Sequence, residues 1–385
     1  MKIDPPAFLS DPAVGRVLDA LPDARIVGGA VRDALAGRDV ADIDLATPSL
    51  PAAVAAMLAT AGIRSVPTGL DHGTLTAVAD GRGFEITTLR RDVGTDGRRA
   101  TVAFTTDWRE DAARRDFTIN AMSMTRDGSV FDYFGGAADL RAGVVRFVGD
   151  PTTRIAEDYL RILRFFRFFA RYGTGAPDPA AMEAIRGGMS SLAGLSVERI
   201  WHELSGLLSV PDPGAAVVLM HDLGVLAALL PEGVSEPGLA RLLASGAPVD
   251  PVLRLAALVT GDGTAVAARL KLSGAARDRL VALRQPLAVA PNDDDAALRR
   301  ALVDTAPSVL AGRAWVAGQP ALAVRLASMP RPVFPLEGRH VVALGVGAGP
   351  RVGALLRDVR IWWRERGCMD GKQGCLAELR RRLAP

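Results

Sequence analysis

The sequence holds almost none of the residues that staple a small fold or cage a structural metal. Cys368 and Cys375 are the only cysteines, too few for a disulfide framework. His72, His202, His221 and His340 are scattered without the spacing of zinc ligands. A structural metal is therefore not expected, and both thiols read as incidental. There is no run of eighteen apolar residues, and the start MKIDPPAFLSDPAV lacks the charged region, apolar stretch and cleavage site of a signal peptide. The expectation is a soluble cytoplasmic protein with no membrane partner. Lysine is also scarce, so the basic residues are nearly all arginine.

What is present is length and apolar content: 385 residues, 49% of them hydrophobic, enough for several cores rather than one. The net charge is only +3, but the arginines bunch. Seven lie from Arg141 to Arg171 against Asp150, Glu157 and Asp158, and nine basic residues from Arg351 onward face four acidic ones. Arginine matches phosphate geometry better than lysine does, so two separated basic regions suggest a long polyanion as partner. Base composition of an arginine-rich gene is the competing explanation.

Up to about residue 148, strand-like pieces (ARIVGG, HGTLTAV, GFEITTLRR, GSVFDYF, GVVRFVG) alternate with helical ones (VRDALAG, PAAVAAMLATAG, TINAMSM). From Pro151 onward strand signals nearly vanish and apolar residues recur at helical spacing. The fold class expected is α+β, a mixed-sheet head followed by an all-helical remainder.

The stretch RIVGGAVRDALAGRDVADIDLAT, residues 25–47, concentrates the chemistry. Gly28 and Gly29 turn a strand into a helix, where glycine permits close approach of a ligand and a helix start offers free N–H groups to phosphate. Asp42 and Asp44 stand two apart, and in an extended chain such side chains share a face. Two convergent carboxylates suit one or two Mg²⁺ ions that clamp a nucleoside triphosphate. The acidic pair alone is more often a solvated loop; the upstream GG-x-V-R-D reverses that weighting.

GGAVRDALAG…DIDLAT resembles the signature of the nucleotidyltransferase superfamily, in the class of CCA-adding tRNA nucleotidyltransferases and bacterial poly(A) polymerases. The resemblance implies a polymerase-β-like head, with Gly28, Gly29 and Arg32 at the triphosphate and Asp42 and Asp44 as metal ligands. RRDFTIN, residues 114–120, resembles the next motif. There Arg115 reaches a phosphate while Asp116 and Asn120 fix backbone and sugar contacts; a capped helix start is the structural alternative.

EDYLRILRFFRFFARYG, residues 157–173, reads as one helix with Glu157, Asp158, Arg161, Arg164, Arg167 and Arg171 on one half and Tyr159, Ile162, Leu163, Phe166 and Phe169 on the other. Its acids precede its bases, as the helix dipole also favours. Asp158 and Arg161, three apart, set an acceptor beside a donor. In the family this E-D-x-x-R motif selects CTP and then ATP without a nucleic-acid template. The resemblance thus makes Asp158 and Arg161 the base readers, Glu157 the support of the arginine, and Arg164 and Arg167 aids to phosphate or the tRNA end.

Residues 84–108 resemble the family's flexible loop, with DVGTDGR at its core, and Glu85 matches a proposed third carboxylate. GLSVERIWHEL, residues 194–204, resembles the last helical motif, with Ser196 an N-cap and Glu198 and Arg199 structural braces. His221-Asp222 lacks the further histidines of a His-Asp phosphohydrolase. The tail HVVALGVGAGPRVGALLRDVRIWW resembles the tRNA-holding segment of longer bacterial members, with His340 where Asp is common.

The implied organisation is a catalytic head over 1–148, a nucleotide-reading neck over 149–215, a body over 216–335 and a tRNA-binding tail over 336–385. The implied function is metal-dependent addition of CCA to tRNA from CTP and ATP, with Mg²⁺ as cofactor, tRNA as partner and no DNA. GLDHGTLTAV lacks the Gly-Arg/Lys-Arg-Phe pattern of many poly(A) polymerases, and the flexible loop argues against a CC-only enzyme. An A-only enzyme, a poly(A) polymerase and a catalytically silent RNA-binding protein stay open as alternatives.

Overall fold

The computed structural model describes residues 1–95 and 100–384; at 71, 92–95 and 100–102 the description stops at the backbone. The chain forms two compact units, Met1–Leu229 and Leu230–Pro385.

The strands of the first unit are β1 (Arg25–Val27), β2 (Asp44–Thr47), β3 (Arg64–Gly69), β4 (Thr74–Ala79), β5 (Arg82–Thr88), β6 (Arg90–Thr95), β7 (Ala100–Phe104), β8 (Met122–Met124) and β9 (Val130–Asp132). Seven of them make one sheet in the order β3-β4-β5-β2-β1-β8-β9. It is mixed: β2 and β5 run parallel, and the other neighbours are antiparallel. β6 and β7 pair separately as a ribbon. The core of the flexible-loop resemblance, residues 92–98, lies partly outside the described residues.

Local chemistry explains the helices on this sheet. In α1 (Pro12–Ala20) Asp11 accepts the Ala13 N–H at 2.8 Å and proline fills the first turn. Helices α2 (Gly29–Leu35) and α3 (Pro51–Thr60) follow β1 and β2. Val14, Val17 and Leu18 of α1 and Val54 and Leu58 of α3 pack with Ile26, Leu45, Leu75, Ala77 and Ile86 in one core. Val27 and Ala46, of opposite parity on their strands, join Leu89 and Trp108 on the other face.

Two sequence expectations change here. TINAMSM is not a helix: Thr118–Asn120 is one 3₁₀ turn, and Met122–Met124 is strand β8, paired on both sides. A slot between two strands decided this over the residues' helical preference. GVVRFVG forms a single bridge, Phe147 with Phe117, instead of a strand. Val145, Phe147 and Val148 are buried and Arg146 between them is exposed, but only the one bridge pairs the segment with a neighbour; Phe147 packs 4.9 Å from Phe117 and 6.0 Å from Phe165, ring centre to ring centre.

The helices α4 (Trp108–Ala113) and α5 (Gly136–Ala142) complete the head, and α6 (Pro151–Glu157), α7 (Leu160–Tyr172), α8 (Pro179–Gly188) and α9 (Val197–Leu208) follow. α7 packs on α9, and α6 on α8. Its apolar face, with Ile162, Leu163, Phe165, Phe166 and Phe169, is buried as the helical period requires. The one long helix expected from residue 157 is two, since Asp158 is extended (φ −159°, ψ 105°) and its Oδ1 accepts the Leu160 N–H at 3.1 Å. An aspartate that satisfies a free N–H at a helix start competes with helix continuation.

The second unit is helical from Glu236–Ala244 to Lys372–Leu383. One of its cores gathers Leu298, Leu302, Leu310 and Leu326, and another gathers Trp363, Cys368, Cys375 and Leu379. Burial pushes the Cys375 thiol up to about 11, so it is a packing group at neutral pH. His340 Nδ1 accepts the Glu337 N–H at 2.9 Å, a cap that an aspartate in the same place also makes. Among the described residues no helix is long and apolar enough to cross a membrane.

Candidate active site

Strand register places the carboxylates. Asp44 stands opposite Val27 in the β1–β2 ladder, and the parallel pairing of Leu45 with Ile86 sets Asp44 beside Glu85. Both lie on the sheet face away from the main core, where the period of two also directs Asp42, across the buried Ile43. Asp42 precedes β2 instead of lying within it. All three acids line one groove of about 520 Å³ with Thr76 and Arg82. Partial burial, then the neighbouring charge of Glu85, holds the Asp44 carboxyl above its ordinary pKa, although Arg115 pulls the other way. Among the described residues the acids do not close into a cage of three or more ligands.

Gly28 caps α2 at φ +66°, a conformation glycine adopts freely. A Cβ there would stand 2.9 Å from Nη1 of Arg115. Gly28→Ala should therefore cost about 1–2 kcal/mol of stability for the backbone alone and displace Arg115; a denaturant melt and nucleotide KM read the two effects separately.

Arg115 is held by Asp111, which is 2% exposed and also pairs with Arg114 at 2.8 Å. Arg32 is buried. Its Nε and Nη2 donate to the two oxygens of Asp33 at 3.0 and 2.9 Å, and its Nη1 donates to Asn120 Oδ1 at 2.6 Å. From Asn120 the network continues: Nδ2 donates to Asp116 Oδ1 at 2.9 Å, and Asp116 Oδ2 accepts both Nε and Nη2 of Arg164. Arg164 and Arg167 then share Glu203 of α9, itself 2% exposed, at 3.6 and 2.7 Å. Gly206, one turn beyond, leaves the room that the Arg167 side chain occupies.

At the far end, Glu157 ion-pairs with Arg161 and, at 2.5 Å, with Arg154. Arg154, also buried, donates to the carbonyls of Arg114 and Arg115. Asp158 does not pair with Arg161; its Oδ2 accepts Arg199 Nη2 at 2.6 Å. The expected i,i+3 relation on one helix is thus replaced by a cap residue and a first-turn residue. A cleft of about 450 Å³ still brings together Gly28, Gly29, Asp44, Arg115, Asp158, Arg161 and Arg199.

Burial alone would raise the pKa of Asp33, Asp111 and Asp116, but their arginines and hydrogen bonds win, and each lies below the ordinary value. A depressed folded-state pKa gives stability that is complete above the unfolded value, about 4, and is lost as pH falls through it and then through the folded value. Asp44 has the opposite sign, its raised pKa favouring the protonated fold as pH drops. Since in this site three such groups oppose one, and Asp11, Asp127, Asp150, Asp295 and Glu378 elsewhere are depressed as well, acid unfolding followed by circular dichroism should set in below about pH 4.

Of the sequence-derived residues, Asp42, Asp44 and Glu85 share one groove, and Gly28, Gly29, Arg32, Arg115, Asp116, Asn120, Asp158, Arg161 and Arg164 share the adjoining cleft with Asp44. Glu157 stands behind that cleft through Arg161, and Arg167 lines a third cavity. Sequence reading missed Asp33, Asp111, Tyr172 and Glu203. The signal available for Asp111 and Glu203 was an acid on the buried side of an amphipathic helix.

Comparison with known proteins bears on this arrangement. The family model described as "Poly A polymerase head domain" matches residues 24–146, and "Probable RNA and SrmB- binding site of polymerase A" matches 176–235. CCA tRNA nucleotidyltransferase 1, mitochondrial, of Homo sapiens is 38% identical over 376 residues, 93% of this chain and 87% of that protein. The chain belongs to the CCA tRNA nucleotidyltransferase family. It is a nucleotidyltransferase with a mixed-sheet head and a helical remainder. The CCA-adding enzyme of Geobacillus stearothermophilus is 38% identical over 221 residues, 57% of this chain and 52% of that one. The crystal structure of Bacillus stearothermophilus CCA-adding enzyme in complex with CTP aligns with a TM-score of 0.73 at 27% identity, over 97% of this chain and 98% of that chain.

Proposed function

We propose that this nucleotidyltransferase adds C, C and A in turn to the 3′ end of tRNA without a nucleic-acid template, consuming CTP and ATP and releasing pyrophosphate. The observation that supports this most is the single cleft shared by Asp44, the Gly28–Gly29 turn, Arg115 and the pair Asp158 and Arg161. It offers a carboxylate at the reacting phosphate, N–H and guanidinium donors for a triphosphate, and an acceptor and a donor for the edge of a base. The human relative's name and the CTP complex of the Bacillus enzyme agree with it.

In this reading Gly28, Gly29, Arg32 and Arg115 hold the triphosphate. Asp158 accepts from the exocyclic amino group of the base, and Arg161, oriented by Glu157, donates to it. Asp116 and Asn120 hold Arg32 and Arg164 in place, while Arg164 and Arg167 add positive charge along the neck helix. Hard oxygen donors and crowded negative charge at Asp42, Asp44 and Glu85 fit Mg²⁺, and two carboxylates leave coordination positions for water and phosphate oxygen. Asp42 and Asp44 would hold the ion, with Glu85 beside them to take the proton of the attacking hydroxyl. Bound there, Mg²⁺ supplies Lewis-acid stabilisation of charge at the α-phosphate. The tRNA 3′-oxygen attacks that phosphorus, the new phosphodiester forms and pyrophosphate leaves. Removal of divalent metal with EDTA should stop extension, and excess Mg²⁺ should restore it. We place the activity in the cytoplasm; the human relative is a mitochondrial protein, and fractionation of host cells decides between the two.

The test is extension, with Mg²⁺, of three tRNA transcripts ending before CCA, after C and after CC. Growth of all three to CCA with CTP plus ATP establishes the full activity. Extension of the last alone, by one A, makes this an A-adding enzyme, and no extension of any overturns the reading.

A further inference from the structure

Arg32, on α2 of the head, is anchored in part by the far end of the neck helix α7. Its guanidinium lies 4.4 Å over the ring of Tyr172 and 5.2 Å over that of Phe168, at the end of α7 remote from Asp158. The Tyr172 hydroxyl donates to Asp33 Oδ1 at 2.6 Å, the same oxygen that accepts Arg32 Nε at 3.0 Å. Tyr172 therefore grips Arg32 twice, by its ring face and through the carboxylate of Asp33, which lies 139 residues away in sequence.

Donor arithmetic gives this grip a consequence. A guanidinium has five N–H groups in a fixed fork. Asp33 takes two and Asn120 one. The remaining two belong to Nη1 and Nη2, and Arg32 lines both the cleft that holds Asp44 and Arg115 and the neighbouring cavity of about 350 Å³. Where those two donors point depends on how the plane of the fork is fixed. Asp33 fixes it along one edge, and the Tyr172 ring fixes its tilt.

We propose that Tyr172, acting through Asp33, is a positioning residue that aims the free donors of Arg32 at the phosphates of the incoming nucleotide, coupling the end of α7 to the glycine turn that begins α2. This rests on the reading of Arg32 as a phosphate ligand. Because α7 also carries Arg161, the tie fixes the span between the base-reading end of the site and its phosphate end. Part of the nucleotide affinity is thereby set by a hydroxyl that touches no substrate. Burial and its bond to Asp33 keep that hydroxyl protonated well above neutral pH, so the tie persists over the working range.

Tyr172→Phe keeps the ring and removes the hydroxyl. Single-nucleotide addition of C and of A, normalised to active enzyme, should then show the KM for CTP and ATP rising about tenfold, with the KM for tRNA and the melting temperature nearly unchanged. Asp33→Asn is the second variant, and in the double mutant the two effects should be strongly non-additive, because they cut the same tie. An unchanged nucleotide KM in Tyr172→Phe, a loss of melting temperature without a change in KM, or additive effects would each overturn the inference. Arg32→Ala separates the two levels. If it leaves nucleotide KM untouched, the phosphate role of Arg32 fails; if it raises KM while Tyr172→Phe does not, only the positioning role fails.

Discussion

Asp44→Asn should lower the rate of nucleotide addition by at least about a thousandfold while leaving the fold and tRNA binding intact. The substitution is nearly isosteric, and Asp44 opens onto both the carboxylate groove and the nucleotide cleft. What it removes is charge where the proposed reaction needs it. The raised pKa of Asp44 comes first from partial burial and then from crowded negative charge, with Glu85 and, less strongly, Asp42 opposing its ionisation. Asparagine relieves that crowding, so a melting curve should show equal or slightly higher stability as activity vanishes. Single-turnover extension of a tRNA ending in CC measures the first effect and a thermal melt the second. Retention of more than a tenth of the rate would move the chemistry away from this groove.

Asp116→Ala should do the reverse, striking the fold before the chemistry. Asp116 accepts the Phe117 N–H, the Asn120 amide and two donors of Arg164, all in a half-buried setting. Deleting it leaves the Arg164 guanidinium with the longer contact to Glu203 and the face of the Phe168 ring. Removing one partner of a fully buried ion pair costs about 3–5 kcal/mol, so this half-buried one should cost about 2–3 kcal/mol, which in a unit of this size lowers the melting temperature by roughly 5–10 °C. Urea denaturation gives the free energy directly. Asp116→Asn keeps the acceptor oxygen and loses the charge, so it should fall between the two; a loss below about 1 kcal/mol in the alanine variant would mean that water replaces the carboxylate.

Asp42 and Asp44 were legible as neighbours on one side because residues two apart in an extended chain share a face, and this holds although Asp42 stands just before β2. The Gly28–Gly29 turn was legible for the same reason, since a turn from strand into helix is set by adjacent residues. The amphipathic pattern of Leu160–Tyr172 likewise fixed which side of the neck helix is apolar. The helix break at Asp158 was not seen, because an aspartate before a helical run is compatible with either a cap or a continued first turn. The strand Met122–Met124 was read as helix because β1, the partner that makes it an inner strand, is remote in sequence, and three residues are too few to show a period of two.

By itself, then, the sequence determined the class of fold and the family resemblance, and it marked the two ends of the proposed site, since each motif depends on residues within a few positions of one another. Tertiary structure alone decided who holds whom: the parallel pairing that sets Glu85 beside Asp44, the transfer of Asp158 to Arg199, and the chain of contacts from Tyr172 through Asp33, Arg32, Asn120, Asp116 and Arg164 to Glu203. Periodicity tells which way a side chain points along its own element. The partner it meets is set by the packing of that element against others, which local spacing does not encode.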